Sequence, residues 1–274
     1  MTNLGTLPGS NAFSRGYALN DAGVVVGESD NNRPRAFRWQ QGALQDLGDL
    51  GGGTAVAHDV DARGIAVGVS SDGVASRPAV FHEDGPRDLG TVAGTANSTG
   101  RAWAVNRRGE VAGVSQQPSG PSQATLWTTR GRVEISDLGS LGDGRQFSQA
   151  FAVNDRGTVV GESVVAPGTT HAFLWRSGSM TDLGSLDARH SRATDVNSRG
   201  QVVGHVTTIV GFPSAAGRAF LWEDGTMIDL NGLLPPGSGW VLRSAEGIND
   251  RGDIVGFGDH EGRREAFLLT PALR

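Results

Sequence analysis

The chain of 274 residues contains no cysteine. Disulfides, thiol nucleophiles and cysteine-held zinc are therefore excluded. It contains no lysine either, because all 24 basic residues are arginine. That removes Schiff-base chemistry and a phosphate-loop lysine. Charged residues make up only 19% and aromatics 6%, with a single tyrosine. The net charge is −5 and no basic stripe is visible, which argues against nucleic acid as a partner. No apolar run reaches about 18 residues, so no membrane span is expected. The first ten residues, MTNLGTLPGS, show no charged-then-apolar leader. A cytoplasmic location is expected on that ground, the alternative being a secreted protein whose signal has been removed.

What is abundant is glycine, at 42 residues, beside 37% apolar residues, a turn-rich but globular profile. Much of the glycine falls in a repeat. The stretch FAVNDRGTVVGES (151–163) has five relatives: YALNDAGVVVGES (17–29), HDVDARGIAVGVS (58–70), WAVNRRGEVAGVS (103–115), TDVNSRGQVVGHV (194–206) and EGINDRGDIVGFG (246–258). Their anchor residues are Asn20, Asp61, Asn106, Asn154, Asn197 and Asn249, spaced 41 to 52 apart. Each copy reads as a short strand, a turn and a Val-rich strand containing Gly. A variable loop leads to a strand such as Ala172-Phe-Leu-Trp175, and a last strand ends in Asp-Leu-Gly. A period of about 40–50 residues built from four short strands is the propeller signature. The expected fold class is all-β: a six-bladed β-propeller of four-stranded blades, in one domain over residues 1–274. The sixth copy lacks a fourth strand, and Thr2–Leu7 is expected to supply it and close the ring.

The ALNDAGVVVGES, HAFLW and DLGSL elements resemble the HAF-type repeat, a bacterial family usually described as extracellular. The segment 229–240, followed by GINDRGDIVG and AFLLTP, is similar to the way such arrays end. The resemblance spans essentially the whole chain. It implies fold and carries no catalytic motif.

Residues kept in every copy read as structure. Trp39, Trp127, Trp175 and Trp222 are expected in the core between blades. Arg251-Gly-Asp253 is a turn followed by a strand rather than an adhesion motif, and His171 carries no metal. Asp59-Val-Asp61 lacks the glutamate that a calcium loop needs. No metal and no cofactor are expected.

The functional candidates are residues that differ between copies on the first, innermost strand. Three before the anchor stand Tyr17, His58, Trp103, Phe151, Thr194 and Glu246. Five before it stand Arg15, Val56, Arg101, Gln149, Arg192 and Ser244. Between them, four before the anchor, lie only Gly or Ala, and Asp59 and Asp195 stand two before it. Strand alternation places the minus-three and minus-five sets on one face. Two longer loops, 116–122 and 206–217, are expected near that end of the strands. Arg15, Tyr17, His58, Arg101, Trp103, Phe151, Arg192 and Glu246 are therefore the candidate ligand residues. Arginine offers a forked donor to an anion and the aromatic faces hold a ring. The expected partner is a small anionic or aromatic molecule, or a glycan or protein on the loop-bearing face, bound by a monomer. The competing reading of the same residues is core packing around a narrow channel. The alternative function is a cofactor-independent cyclase, lyase or hydrolase acting on an anionic small molecule in secondary metabolism. It would use Glu246 and His58 as acid and base, with Tyr17, Asp59 and Asp195 beside them.

Overall fold

The computed structural model describes residues 1–9, 13–30, 32–143, 146–209 and 217–271. The chain divides into two compact units, Met1–Asp137 and Leu138–Arg274. Both are built from antiparallel meanders, each corresponding to one copy of the repeat, and no α-helix occurs among the described residues.

Unit 1 holds three four-stranded sheets. The first is β1 (Ser14–Leu19), β2 (Val25–Ser29), β3 (Arg35–Gln40) and β4 (Ala43–Asp46). The second is β5 (Ala55–Val60), β6 (Ala66–Ser71), β7 (Ser76–His82) and β8 (Gly85–Asp88). The third is β9 (Gly100–Val105), β10 (Glu110–Ser115), β11 (Gln123–Thr128) and β12 (Glu134–Gly139). Unit 2 continues with β13 (Ser148–Val153), β14 (Val159–Ala166), β15 (Thr169–Arg176) and β16 (Ser179–Asp182). Next come β17 (His190–Val196), β18 (Val202–Thr207), β19 (Arg218–Glu223) and β20 (Thr226–Asp229). One parallel residue pair, Thr170 with His190, joins these two meanders into an eight-stranded sheet. The last sheet has three strands, β21 (Trp240–Ile248), β22 (Ile254–His260) and β23 (Arg263–Leu269). None of the five sheets closes on itself, and Thr2–Leu7 forms no strand. Four strands per copy is thus found in five copies, while the closing strand expected at the N-terminus is not.

The anchor residues explain the turns. Asn154 Oδ1 accepts from the N–H groups of Arg156 and Thr158, both at 3.0 Å. Its Nδ2 donates to the carbonyl of Asn197, the next anchor, at 2.8 Å. Asn20 reaches Asp61 and Asn197 reaches Asn249 in the same way. One side chain therefore closes its own turn and straps it to the following copy.

The inner strands are not regular. In all six, the pairing with the second strand skips the residue three before the anchor. Tyr17, His58, Trp103, Phe151, Thr194 and Glu246 are each the extra residue of a β-bulge. The bulge drives the carbonyl of the minus-five residue against the glycine of the second strand. A Cβ on Gly27, Gly68, Gly113, Gly161, Gly204 or Gly256 would lie 1.9–2.1 Å from that oxygen. The VVG signature is therefore a demand of the bulge.

Phenylalanine, and not tryptophan, fills most of the core from the third strand. Phe37, Phe173 and Phe220 are fully buried, while Trp39, Trp175 and Trp222 are half-buried. Trp127 is the exception. Thr125 replaces phenylalanine in that strand, and the indole moves into the core, donating to the Gly90 carbonyl at 3.0 Å.

Candidate functional site

In unit 1 the bulges on β1, β5 and β9 bring three candidate rings into a row. Tyr17 meets His58 edge-on at 5.9 Å, and His58 stacks on Trp103 at 4.4 Å. The minus-five arginines lie over these rings, Arg15 over Tyr17 at 5.8 Å and Arg101 over Trp103 at 5.5 Å. The expectation that the two sets share a face is met in this unit. Tyr17, His58 and Arg101 line a cleft of about 290 Å³ together with Glu28, Val56 and the hydroxyl-bearing edge Ser70, Ser71 and Ser76.

Arg101, which lines this cleft, and Arg15, on the far side of Tyr17's hydrogen-bond network, are in different states. Arg15 donates to the Tyr17 hydroxyl at 3.2 Å and lies 3.7 Å from Glu28, to which Tyr17 donates at 2.6 Å. Burial and the Glu28 carboxylate hold the Tyr17 phenol above its ordinary range. Arg101 is exposed, and among the described residues no carboxylate pairs with it. The register explains why. The residue opposite Arg15 is Glu28, whereas Val114 stands opposite Arg101.

His58 is half-buried, and burial pushes its imidazole down to about 4, with the Arg101 charge acting in the same direction. Its Nδ1 lies 2.9 Å from the carbonyl oxygen of Ala102. A carbonyl only accepts, so the proton sits on Nδ1 and Nε2 is left as an acceptor.

Unit 2 arranges the corresponding positions differently. Arg192 makes a forked ion pair with Glu162, at 2.9 and 2.8 Å, and its guanidinium lies 4.8 Å from the Phe151 ring centre. The Thr194 hydroxyl reaches the Ala245 carbonyl at 2.7 Å. Glu246 is exposed and accepts from Ser244 at 2.6 Å, and Ser244 in turn lies 3.1 Å from Nδ1 of the buried His205. Burial holds His205 at about 4, helped by the Arg192 charge.

Asp59 and Asp195 hold the backbone. Asp59 Oδ1 accepts from Val60 N–H and Oδ2 from Val105 N–H on the next inner strand, both at 2.8 Å. Asp195 does the same with Val196 and Ile248. Burial raises the Asp195 carboxyl above its ordinary value. The acid and base offered for catalysis, Glu246 and His58, are divided between the two units. Among the described residues no cluster of His, Asp and Glu could hold a metal. Among the described residues no helix is long and apolar enough to cross a membrane. Most of the loop at 206–217, residues 210–216, lies outside the described residues.

Sequence reasoning missed Glu28, Glu162 and His205. Their signal was present: each directly follows the second-strand glycine, the position that pairs with the minus-five residue.

Three solved structures are similar to the chain in fold. The β-propeller domain of the Trilobed protease from Pyrococcus furiosus aligns at a TM-score of 0.53 and 10% identity, over 96% of this chain and 83% of its own. A chain from a study of two prolyl endopeptidases aligns at 0.53 and 12%, over 91% of this chain and 40% of its own. A puromycin-hydrolyzing peptidase of Mycobacterium tuberculosis aligns at 0.52 and 14%, over 92% and 43%. The chain thus spans less than half the length of the last two. At such identity the likeness shows the all-β, propeller-like fold alone. No curated protein matches the chain. The resemblance to HAF-type repeats is overturned, because the family model that matches the chain is a different one. Residues 91–267, more than half of the chain, match the family described as protein of unknown function (DUF3466), and the chain belongs to that family.

Proposed function

We propose that the protein binds a small anionic molecule in the cleft of unit 1, with Arg101 as the anion's partner and the rings of Tyr17 and His58, the latter backed by Trp103, as the wall beside it. One observation carries this. Of the three minus-five arginines, Arg15 and Arg192 spend their charge on Glu28 and Glu162, and Arg101 faces the cleft without a carboxylate. An exposed guanidinium set over an indole and beside a neutral imidazole is a preformed receptor for a carboxylate or phosphate. The cleft sits at the small end of the range for ligand sites. Catalysis is left out of this reading, since His58 Nδ1 is engaged by the Ala102 carbonyl.

The proposal includes the finer reading of the fold: six blades in one domain over residues 1–274, the last completed by the N-terminal segment. The six-fold repeat and the likeness to a propeller domain over 96% of the chain support it.

The test is a thermal-shift series with small aromatic carboxylates and inorganic phosphate on wild type and Arg101→Ala. At about 100 times its dissociation constant a ligand adds about 2.7 kcal/mol, a shift of several degrees. We expect the shift in wild type and its loss in Arg101→Ala, whose unliganded Tm should stay within about a degree because the side chain is exposed and unpaired. A ligand that shifts both proteins equally would remove Arg101 from the site.

A further inference from the structure

The cleft also contains an acceptor with no user. His58 is held in place from three sides: Nδ1 donates to the Ala102 carbonyl, one face stacks on Trp103, and Tyr17 packs edge-on. These contacts fix the ring and its tautomer, and the ring lines the same cleft as Arg101. Among the described residues nothing hydrogen-bonds to Nε2. A lone pair oriented by so many contacts would be wasted on an anion, which has no proton to offer it.

The charges facing the ring point the same way. Arg15, Glu28 and Tyr17 form a linked set whose charges cancel, which leaves Arg101 as the one net charge beside the imidazole among the described residues. Burial and Arg101 keep the ring neutral at physiological pH, against the weaker pull of Glu28 and the Ala102 carbonyl. A neutral His58 neither repels nor attracts the ligand's charge. It selects by hydrogen bonding alone.

We infer, resting on the anion-binding reading of this cleft, that its ligand is an amino or hydroxy acid: its carboxylate on Arg101, and a neighbouring ammonium or hydroxyl donating to Nε2 of His58. His58 is then the residue that determines specificity. The hydroxyls of Ser70, Ser71 and Ser76 edge the cleft, so a ligand bearing several polar groups finds partners there.

Three probes of one skeleton separate the possibilities: L-phenylalanine, L-phenyllactate and 3-phenylpropionate, titrated by calorimetry at pH 7. They carry an ammonium, a hydroxyl and no donor next to the same carboxylate. An acceptor left unpaired costs enough that the donor-bearing probes should bind about tenfold or more tightly than phenylpropionate. His58→Phe keeps an aromatic ring on Trp103 and should erase that difference while leaving phenylpropionate binding intact. His58→Asn can keep a donor to Ala102 and lacks Nε2, and should do the same if the phenylalanine variant does not fold. Phenylalanine ahead of phenyllactate identifies an amino acid, and the reverse order a hydroxy acid. If wild type binds all three equally and Arg101→Ala loses all three, this inference fails while the anion site stands. If none of the three binds wild type, both fail.

Discussion

His205 shows how a single residue can carry a pH response without belonging to the binding cleft. It is buried on β18, paired in register with Arg192, and bonded through Nδ1 to Ser244, which leads to Glu246. Burial holds it at about 4 against 6.5 for a free imidazole. The folded state therefore refuses a proton that the unfolded chain accepts. Stability from this residue is complete above pH 6.5 and is lost as pH falls towards 4, to a total of about 3 kcal/mol. His58 adds a term of the same sign in the same window. His205→Gln should flatten the pH dependence of urea unfolding between pH 6.5 and 4 relative to wild type, whatever it does to stability at pH 7. An unchanged slope would mean that His205 takes its proton without resistance. The position of His205 was legible from the repeat, but its burial and its partners were not. In sequence His205 is simply the residue after a conserved-looking glycine, and only the antiparallel register shows what it faces. The aspartates misled for the same reason. Asp59 and Asp195 look like chemistry in a strand of small residues, yet each carboxylate is spent on two backbone N–H groups.

At the scale of the element, the inner strand with its bulge is the unit that makes a site available. The repeat's turns and strand order were readable from Asn and Gly placement, because an Asx turn and a positive-φ glycine have few alternatives. The bulge was not, since it leaves no mark on the inner strand, where any residue from Thr to Trp occupies it. Its mark is on the neighbour, the second-strand glycine pressed by a carbonyl. In the fifth and sixth copies that glycine also makes room for Phe220 and Phe267. Gly161→Ala places a methyl 1.9 Å from the Gln149 oxygen. Either the bulge flattens or the strands part, so the substitution should cost about 3 kcal/mol or more. The turn glycine of the same copy, Gly157, has a φ of 77°, which a residue with a Cβ adopts only under strain. Gly157→Ala should cost only about 1 kcal/mol. Comparing the two melting temperatures checks the ranking. A Gly161→Ala protein as stable as wild type would show that the bulge is not fixed, and with it the orientation of Phe151.

Across the whole molecule, burial follows a nearest-neighbour rule. Within each unit the residue just before an anchor packs on the preceding copy: Val60 with Val24 and Val26, Val105 with Val67 and Val80, Val196 with Val160, Ile248 with Val203. Val60, Val105, Val196 and Ile248 are accordingly 5–9% exposed, while Leu19 of the first copy is 68% exposed. The last copy shows the converse. Val255 and Leu268 pair across β22 and β23 and are exposed, where Val26, Val67, Val160 and Val203 fill the core. Six repeats of this kind were legible from spacing. What the repeat does at its ends was not, because periodicity describes the interior of an array and says nothing of what covers its first and last members. The propeller proposal supplies that cover, and a stability measurement decides it. Val60→Ala should cost about 2 kcal/mol as a core truncation. If the blades form a closed propeller in solution, Leu19→Ala should cost a similar amount, and Leu268→Ala likewise. Costs below about 0.5 kcal/mol at both, as for ordinary surface positions, would leave six stacked sheets with free apolar ends and overturn the closed ring.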